Sequence, residues 1–266
     1  MTTNKDDENT ILIKELDIDT IRPNAETMDT NLGGSKIVVL GKAGSGKSVL
    51  IKSLLYAKRD IIPIGVVVSG SEDTNAFYAK LFPKIFINEK FDLSIIADIH
   101  KRQEISKKHL SNAWNVFIMD DCMDDAKPFN DPLMLGLFKN SRHWNVLSIF
   151  ANQYVFDFKP VIRTNIDGVF IFREASVTNR DKIYANFASI IPSKPLFYAL
   201  MDQLTNDFTC IYINNQTSSN DWRDCVFYYK APILPDFQFG CEDYWVYAEA
   251  RSMYDERRTT KKSSSS

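Results

Sequence analysis

The octapeptide Gly41-Lys42-Ala43-Gly44-Ser45-Gly46-Lys47-Ser48 limits what this chain can fold into more than any other stretch. It matches GxxxxGK[ST]. Its glycines let the backbone curl tightly, so that successive N–H groups turn inward around an anion. Lys47 supplies a point charge for the β- and γ-phosphates of a nucleoside triphosphate, and the Ser48 hydroxyl suits Mg²⁺. Such a loop works only between a buried strand and a helix N-terminus, whose dipole adds to the field. The flanks comply. "KIVVL" (36–40) is a short β-branched strand pattern, and "SVLIKSLLYAK" carries apolar residues at helical spacing. Residues Gly41, Lys42, Ala43, Gly44, Ser45, Gly46, Lys47, Ser48 and Val49 are therefore the candidate nucleotide-binding segment, with a nucleoside triphosphate and Mg²⁺ as ligands.

Strand and helix patterns continue to alternate. "IPIGVVVSG" (62–70), "NVFIMDD" (115–121), "NVLSIFANQ" (145–153) and "DGVFIF" (167–172) read as strands. Helices are predicted at 47–58, over "TNAFYAKLF", over "LSIIADIHKRQEI", after the Asp131-Pro132 start signal, and at 177–188 and 195–205. This is an α/β chain with a mainly parallel sheet flanked by helices. "FTCIYIN" and "DCVFYYK", split by a polar stretch, predict an antiparallel hairpin on one edge. Residues 1–35 read as an N-terminal segment, disordered over 1–10 with one edge strand in "ILIKELDI". Residues 36–235 form the nucleotide domain. Residues 236–266 are an extension whose end, "ERRTTKKSSSS", is expected to be disordered.

Composition narrows the class. The chain has 266 residues and a net charge of −2, which suits one α/β domain with additions. No apolar run approaches the ~18 residues of a membrane span. From the acidic, polar stretch at residues 1–10 no secretory signal is expected. Cys122, Cys210, Cys225 and Cys241 lack CxxC spacing and read as reduced thiols of an intracellular protein. The densest mid-chain basic stretch, Lys101–Lys108, is a candidate DNA contact, though a solvated helix face accounts for it as well.

"VFIMDD" ends in paired carboxylates. Asp120 would hold the Mg²⁺ shell and Asp121 would polarise the attacking water. Asp124 and Asp125 are rivals that lie past the strand end. The Asp120 strand is the third of the series, and the next one ends in Asn152 and Gln153, where a polar group can touch the γ-phosphate or its water. That layout belongs to additional-strand ATPases, not to nucleotide kinases, and the chain has no arginine-rich lid. A GTPase would need NKxD, which "TNRD" (178–181) does not provide.

"GKAGSGKS", "FIMDD", "SRHWNVLSIFANQY" and "RTNIDGVFIFRE" together resemble the poxvirus-type DNA-packaging ATPases of large DNA viruses, within the FtsK–HerA superfamily of ring translocases. The resemblance covers about residues 36–230. It implies a RecA-like core, ATP hydrolysis and a homo-oligomeric ring, pentameric or hexameric. The implied partners are double-stranded DNA and a capsid or portal-vertex protein, and the implied location is the virion and the host cytoplasm. It also implies Gln153 as sensor and Arg142, just before the Gln153 strand, as an arginine finger acting on a neighbouring subunit. Arg163, Asn165, Asp167, Arg173 and Glu174 gain no role from chemistry alone; ion pairs and turn caps compete with ATP contact. A second functional class, a non-motor ATP-binding virion or scaffold protein, would not need the water-activating Asp121. Lys47→Ala should abolish ATP binding, as read by equilibrium binding of a hydrolysis-resistant analogue.

Overall fold

The computed structural model describes residues 12–29, 33–122, 127–153, 155 and 159–263; for Arg142 and residues 255–263 it describes the backbone. Residues 1–10, the rival carboxylates Asp124 and Asp125, and the side chain of Arg142 thus lie outside the described atoms.

In chain order the strands are β1 (Lys14–Glu15), β2 (Lys36–Leu40), β3 (Ile64–Ser69), β4 (Ile87–Asn88), β5 (Asn115–Asp120), β6 (Val146–Asn152), β7 (Gly168–Ile171), β8 (Thr209–Asn214) and β9 (Val226–Lys230). Among the described residues they form one nine-stranded sheet in the order β1-β9-β8-β7-β2-β6-β5-β3-β4. Pairing is parallel except for β7 with β8 and β8 with β9. The predicted hairpin exists, but it does not form the sheet edge. β1 continues the sheet beyond β9 through Lys14↔Phe227 and Glu15↔Tyr228.

The helices are α1 (Lys47–Lys58), α2 (Glu72–Asn75), α3 (Leu93–His109), α4 (Pro132–Trp144), α5 (Pro160–Arg163), α6 (Val177–Ile183), α7 (Lys194–Leu204) and α8 (Glu242–Ser263). They cover both faces of the sheet, because buried parallel strands present apolar side chains alternately to each side. Ile37 and Val39 of β2 join Leu50, Ile51, Leu54 and Leu55 of α1 in one core. Val38 and Leu40 join Ile96, Met134, Phe138 and Phe197, from α3, α4 and α7, in the other.

Three local expectations are corrected. "TNAFYAKLF" is not one helix: α2 ends at Ala76, which is left-handed (φ 45°). The Glu72 carboxylate then accepts the Tyr78 and Ala79 N–H groups at 3.0 and 2.7 Å, which starts a separate turn. The segment after α6 continues as a π-helical turn, Tyr184–Ala188. At the C-terminus, α8 runs to Ser263 through residues expected to be disordered, because the segment lacks Gly and Pro and is rich in Arg, Lys and Glu.

Lys36, at the start of β2, is 1% exposed, and its ammonium lies 2.7 Å from Asp167, just before β7. Asp167 also accepts the Lys36 N–H at 2.8 Å. Asp167→Ala would leave the ammonium buried without its counter-charge and should cost about 3–5 kcal/mol in urea unfolding. Adding Lys36→Met should recover much of that loss.

Candidate functional site

The register of three neighbouring strands builds the site. β6 lies between β2 and β5, with Leu40 opposite Asn152 and Asp120 opposite Ala151. The chain crosses from each strand into its loop under the same ladder: Gly41 N–H donates to Asn152 O at 3.2 Å, and Asp121 N–H donates to Ala151 O at 3.1 Å. The phosphate loop, the paired carboxylates and Gln153 therefore share one end of the sheet.

Gly46 caps α1 at φ 105°, a conformation closed to other residues at ordinary cost, and Leu50 N–H returns to its carbonyl at 3.0 Å. That turn carries the chain from loop into helix. Lys47 is 8% exposed. Its ammonium donates to Gly41 O at 2.6 Å and to Lys42 O at 3.2 Å, so two of its three donors hold the loop. Burial lowers its pKa, opposed by Asp121 and Asp120.

Asp120 is 5% exposed, and its Oδ2 accepts the Tyr78 hydroxyl at 2.8 Å. Burial pushes its carboxyl up, against the Tyr78 hydrogen bond and the Lys47 charge. Asp121 is exposed and left-handed, at φ 51°. Gln153 Nε2 donates to Asp121 Oδ2, which joins the ends of β5 and β6 through side chains. The Asp121 carbonyl sits so close to Gly70 that a Cβ there would lie 2.4 Å from it. Gly70, the residue just after β3, thereby leaves space for the Asp121 turn.

Lys42, Lys47, half-buried Ser48, Asp120 and Asp121 line a cleft of about 750 Å³, a usual size for a small-molecule site. Its donor set fits Mg²⁺. Tyr78 engages one oxygen of Asp120, and Ser48 lines the same cleft. A bound ion would supply positive charge at the phosphates and offset the cost of the buried carboxylate.

The Arg163–Glu174 segment resolves into ion pairs and caps. Besides Asp167, Glu174 accepts Ser176 N–H at 2.8 Å and Asn179 Nδ2 at 3.1 Å, and it pairs with Lys42 of the phosphate loop at 3.0 Å. Burial raises its pKa, but these donors together outweigh burial and hold the carboxyl below its ordinary value. Arg163 donates to Asn186 Oδ1 at 2.8 Å and Asn165 to Val161 O at 2.7 Å, while Arg173 is exposed beside the loop.

The basic stretch of α3 is divided. Arg102 is half-buried and donates to Gln103; Lys107 donates to His143 O at 2.5 Å; Lys101 and Lys108 are exposed. Two contributors escaped the motif reading. Tyr78 falls in a segment whose pattern predicts a helix, and Gly70 belongs to none of the motifs.

Fold and site together define a P-loop NTPase of the additional-strand kind. No protein-family model matches the chain. It is 50% identical over 246 residues to the uncharacterized protein 088R of Invertebrate iridescent virus 3, covering 91% of this chain and 94% of that protein. It is 50% identical over 240 residues to the uncharacterized protein 015R of Frog virus 3, covering 89% and 74%. The chain belongs to this family of large-DNA-virus proteins. Among solved structures it resembles the DNA-packaging ATPase B204 of Sulfolobus turreted icosahedral virus, with TM-score 0.56, 16% identity, and 75% and 98% of the two chains covered. It also resembles the genome packaging NTPase B204 of Sulfolobus turreted icosahedral virus 2 in complex with AMPPCP, with TM-score 0.54, 16% identity, and coverage of 75% and 98%. At that identity the likeness is one of fold. The resemblance to viral packaging ATPases holds: the relatives are viral, and the fold is that of a packaging NTPase.

Because the Asp120 carboxyl is raised by burial, its ionised form weakens the fold at neutral pH, and protonation removes that cost. Without nucleotide or Mg²⁺, Asp120→Asn should melt higher than wild type at pH 7, with the gap closing as pH falls towards 4. The same variant should lose Mg²⁺-dependent nucleotide binding.

Proposed function

We propose that this chain is an ATP-hydrolysing motor that drives double-stranded DNA into a viral capsid. The observation that carries the reading is the Asp121–Gln153 hydrogen bond, formed where β5 and β6 end beside the phosphate loop. A protein that only holds nucleotide has no use for an exposed carboxylate fixed by an amide at that spot. In this reading Asp121 accepts the proton of the attacking water, Gln153 orients both, and Lys47 balances charge on the γ-phosphate. Asp120 and Ser48 hold Mg²⁺, which supplies further positive charge at the phosphates when bound. Residues 36–235 form the motor domain, and residues 1–35 and 236–266 are its extensions.

Hydrolysis becomes mechanical work only if subunits are coupled. Arg142 lies in the last turn of α4, next to the start of β6, while Gln153 follows the other end of that strand. The length of β6 separates Arg142 from its own subunit's cleft. In a homo-oligomeric ring of five or six subunits, that surface meets the neighbour's nucleotide, and Arg142 serves there as an arginine finger. The further partners are double-stranded DNA and a capsid or portal-vertex protein. The relatives' origin in large DNA viruses and the fold shared with packaging NTPases support this assignment. The work is done in the host cytoplasm, where virions assemble, and the protein stays with the virion. No helix among the described residues is long and apolar enough to cross a membrane.

The test is ATP turnover with and without double-stranded DNA, which should stimulate it; a DNA-indifferent rate would favour a nucleotide-holding virion component. Asp121→Asn should bind ATP and turn over at least about 100-fold more slowly. Arg142→Ala should bind ATP and be nearly inactive alone. Mixed with Asp121→Asn it should regain partial activity, since some interfaces then pair both intact groups. Co-assembled mixtures no more active than the separate mutants would remove the trans role.

A further inference from the structure

The cleft does not end at the phosphate loop. It continues to an apolar wall made by Val49, Phe208, Ala231 and Ile233. Val49, Phe208 and Ile233 are 39%, 63% and 95% exposed. Large apolar side chains displayed together contribute little to the fold, and they line the same cleft as Lys47 and Asp120.

The backbone that presents Phe208 is strained. Asp207 and Phe208 are both left-handed, at φ 51° and 60°, just before β8. Such a conformation in a bulky residue costs of order 1–3 kcal/mol and persists where the surroundings enforce it, commonly at ligand sites. Two contacts flank it here. The Asp207 carboxylate pairs with Lys230, at the end of the neighbouring β9. On the other side Phe208 lies against the turn into α1: a Cβ on Gly46 would meet Phe208 Cδ1 at 3.5 Å and its Cβ at 3.6 Å. The ring therefore stands beside the N-terminus of the helix that receives the phosphates, where the rest of a nucleotide must leave the loop.

We infer that Phe208 is the stacking platform for the base of the bound nucleotide, with Ile233 extending the apolar wall. The base is held by contact area: the wall is apolar, and Asp207 and Lys230, the charged groups at that end, pair with each other. Purines, with the larger face, bind better than pyrimidines, and adenine and guanine bind alike. This rests on the phosphate-loop reading and adds to it the part of the ligand that the loop does not hold.

The test is calorimetric binding, at fixed Mg²⁺, of hydrolysis-resistant ATP, GTP and UTP analogues and of inorganic tripolyphosphate, which has no base. Phe208→Ala should weaken the ATP and GTP analogues about 5- to 100-fold and leave tripolyphosphate within about twofold. Phe208→Trp should keep purine affinity. Ile233→Ala, at a position too exposed to disturb folding, should weaken the nucleotides in the same sense. An unchanged ATP affinity in Phe208→Ala would overturn the platform. So would equal losses for ATP and tripolyphosphate, since Phe208 would then be a prop for the loop. A preference for ATP over GTP greater than about tenfold would overturn recognition by area alone. Wild-type protein that bound neither ATP nor tripolyphosphate would instead overturn the phosphate-loop reading itself.

Discussion

Strand β6 is the element on which the site depends. Its hydrogen bonds to β2 on one side and to β5 on the other fix how far Lys47 stands from Asp120 and Asp121. A slip of one residue in either ladder would turn every side chain on the strand to the opposite face of the sheet and pull the two motifs apart. The apolar alternation of β2, β5 and β6 between two helical layers prevents that slip. Register in this protein is thus enforced by burial, and the chemical groups follow from it.

Ion pairs fasten the loop to this frame at both ends of the β2–β7 contact. Lys36 and Asp167 join the strand starts in the interior, while Lys42 and Glu174 join the segments that leave the strand ends, nearer solvent. The two pairs differ in kind. The inner one is desolvated, and removing one member leaves a buried charge. The outer one is reinforced by the Ser176 N–H and the Asn179 amide, which makes Glu174 a junction between the phosphate loop and the start of α6.

The cleft collects features that work against stability. Asp120 is a carboxylate in a desolvated position, Lys47 is a buried ammonium, and Asp121, Asp207 and Phe208 hold left-handed backbone. Elsewhere a buried ammonium such as that of Lys36 has its counter-charge beside it, in Asp167. Unfavourable terms gathered at one place suit a site for a charged ligand, because a polyphosphate bound with Mg²⁺ would offset those charges and cover those surfaces.

Much of this was legible in the sequence. GxxxxGKS between a β-branched run and an amphipathic helix specifies its own local structure, because only glycine reaches the needed dihedrals and only a helix N-terminus suits the phosphates. The order of the strand patterns, with the carboxylates on the third and Gln153 on the fourth, already pointed to an additional strand. What the sequence could not specify was anything that depends on two distant segments meeting. Nothing in "AFYAKLF" says that Tyr78 ends beneath Asp120. Nothing in "SGSED" says that Gly70 must leave room for the Asp121 carbonyl, and nothing in "NDFTC" says that Phe208 stands beside Gly46. The motif at 163–174 was visible as a pattern, yet its meaning waited for the partners Lys36 and Lys42, which lie more than a hundred residues earlier. Local sequence determined the loop and the elements, because backbone dihedrals and apolar periodicity are local properties. Only the tertiary structure decided which side chains face one another, because that is set by strand order and register across the whole sheet.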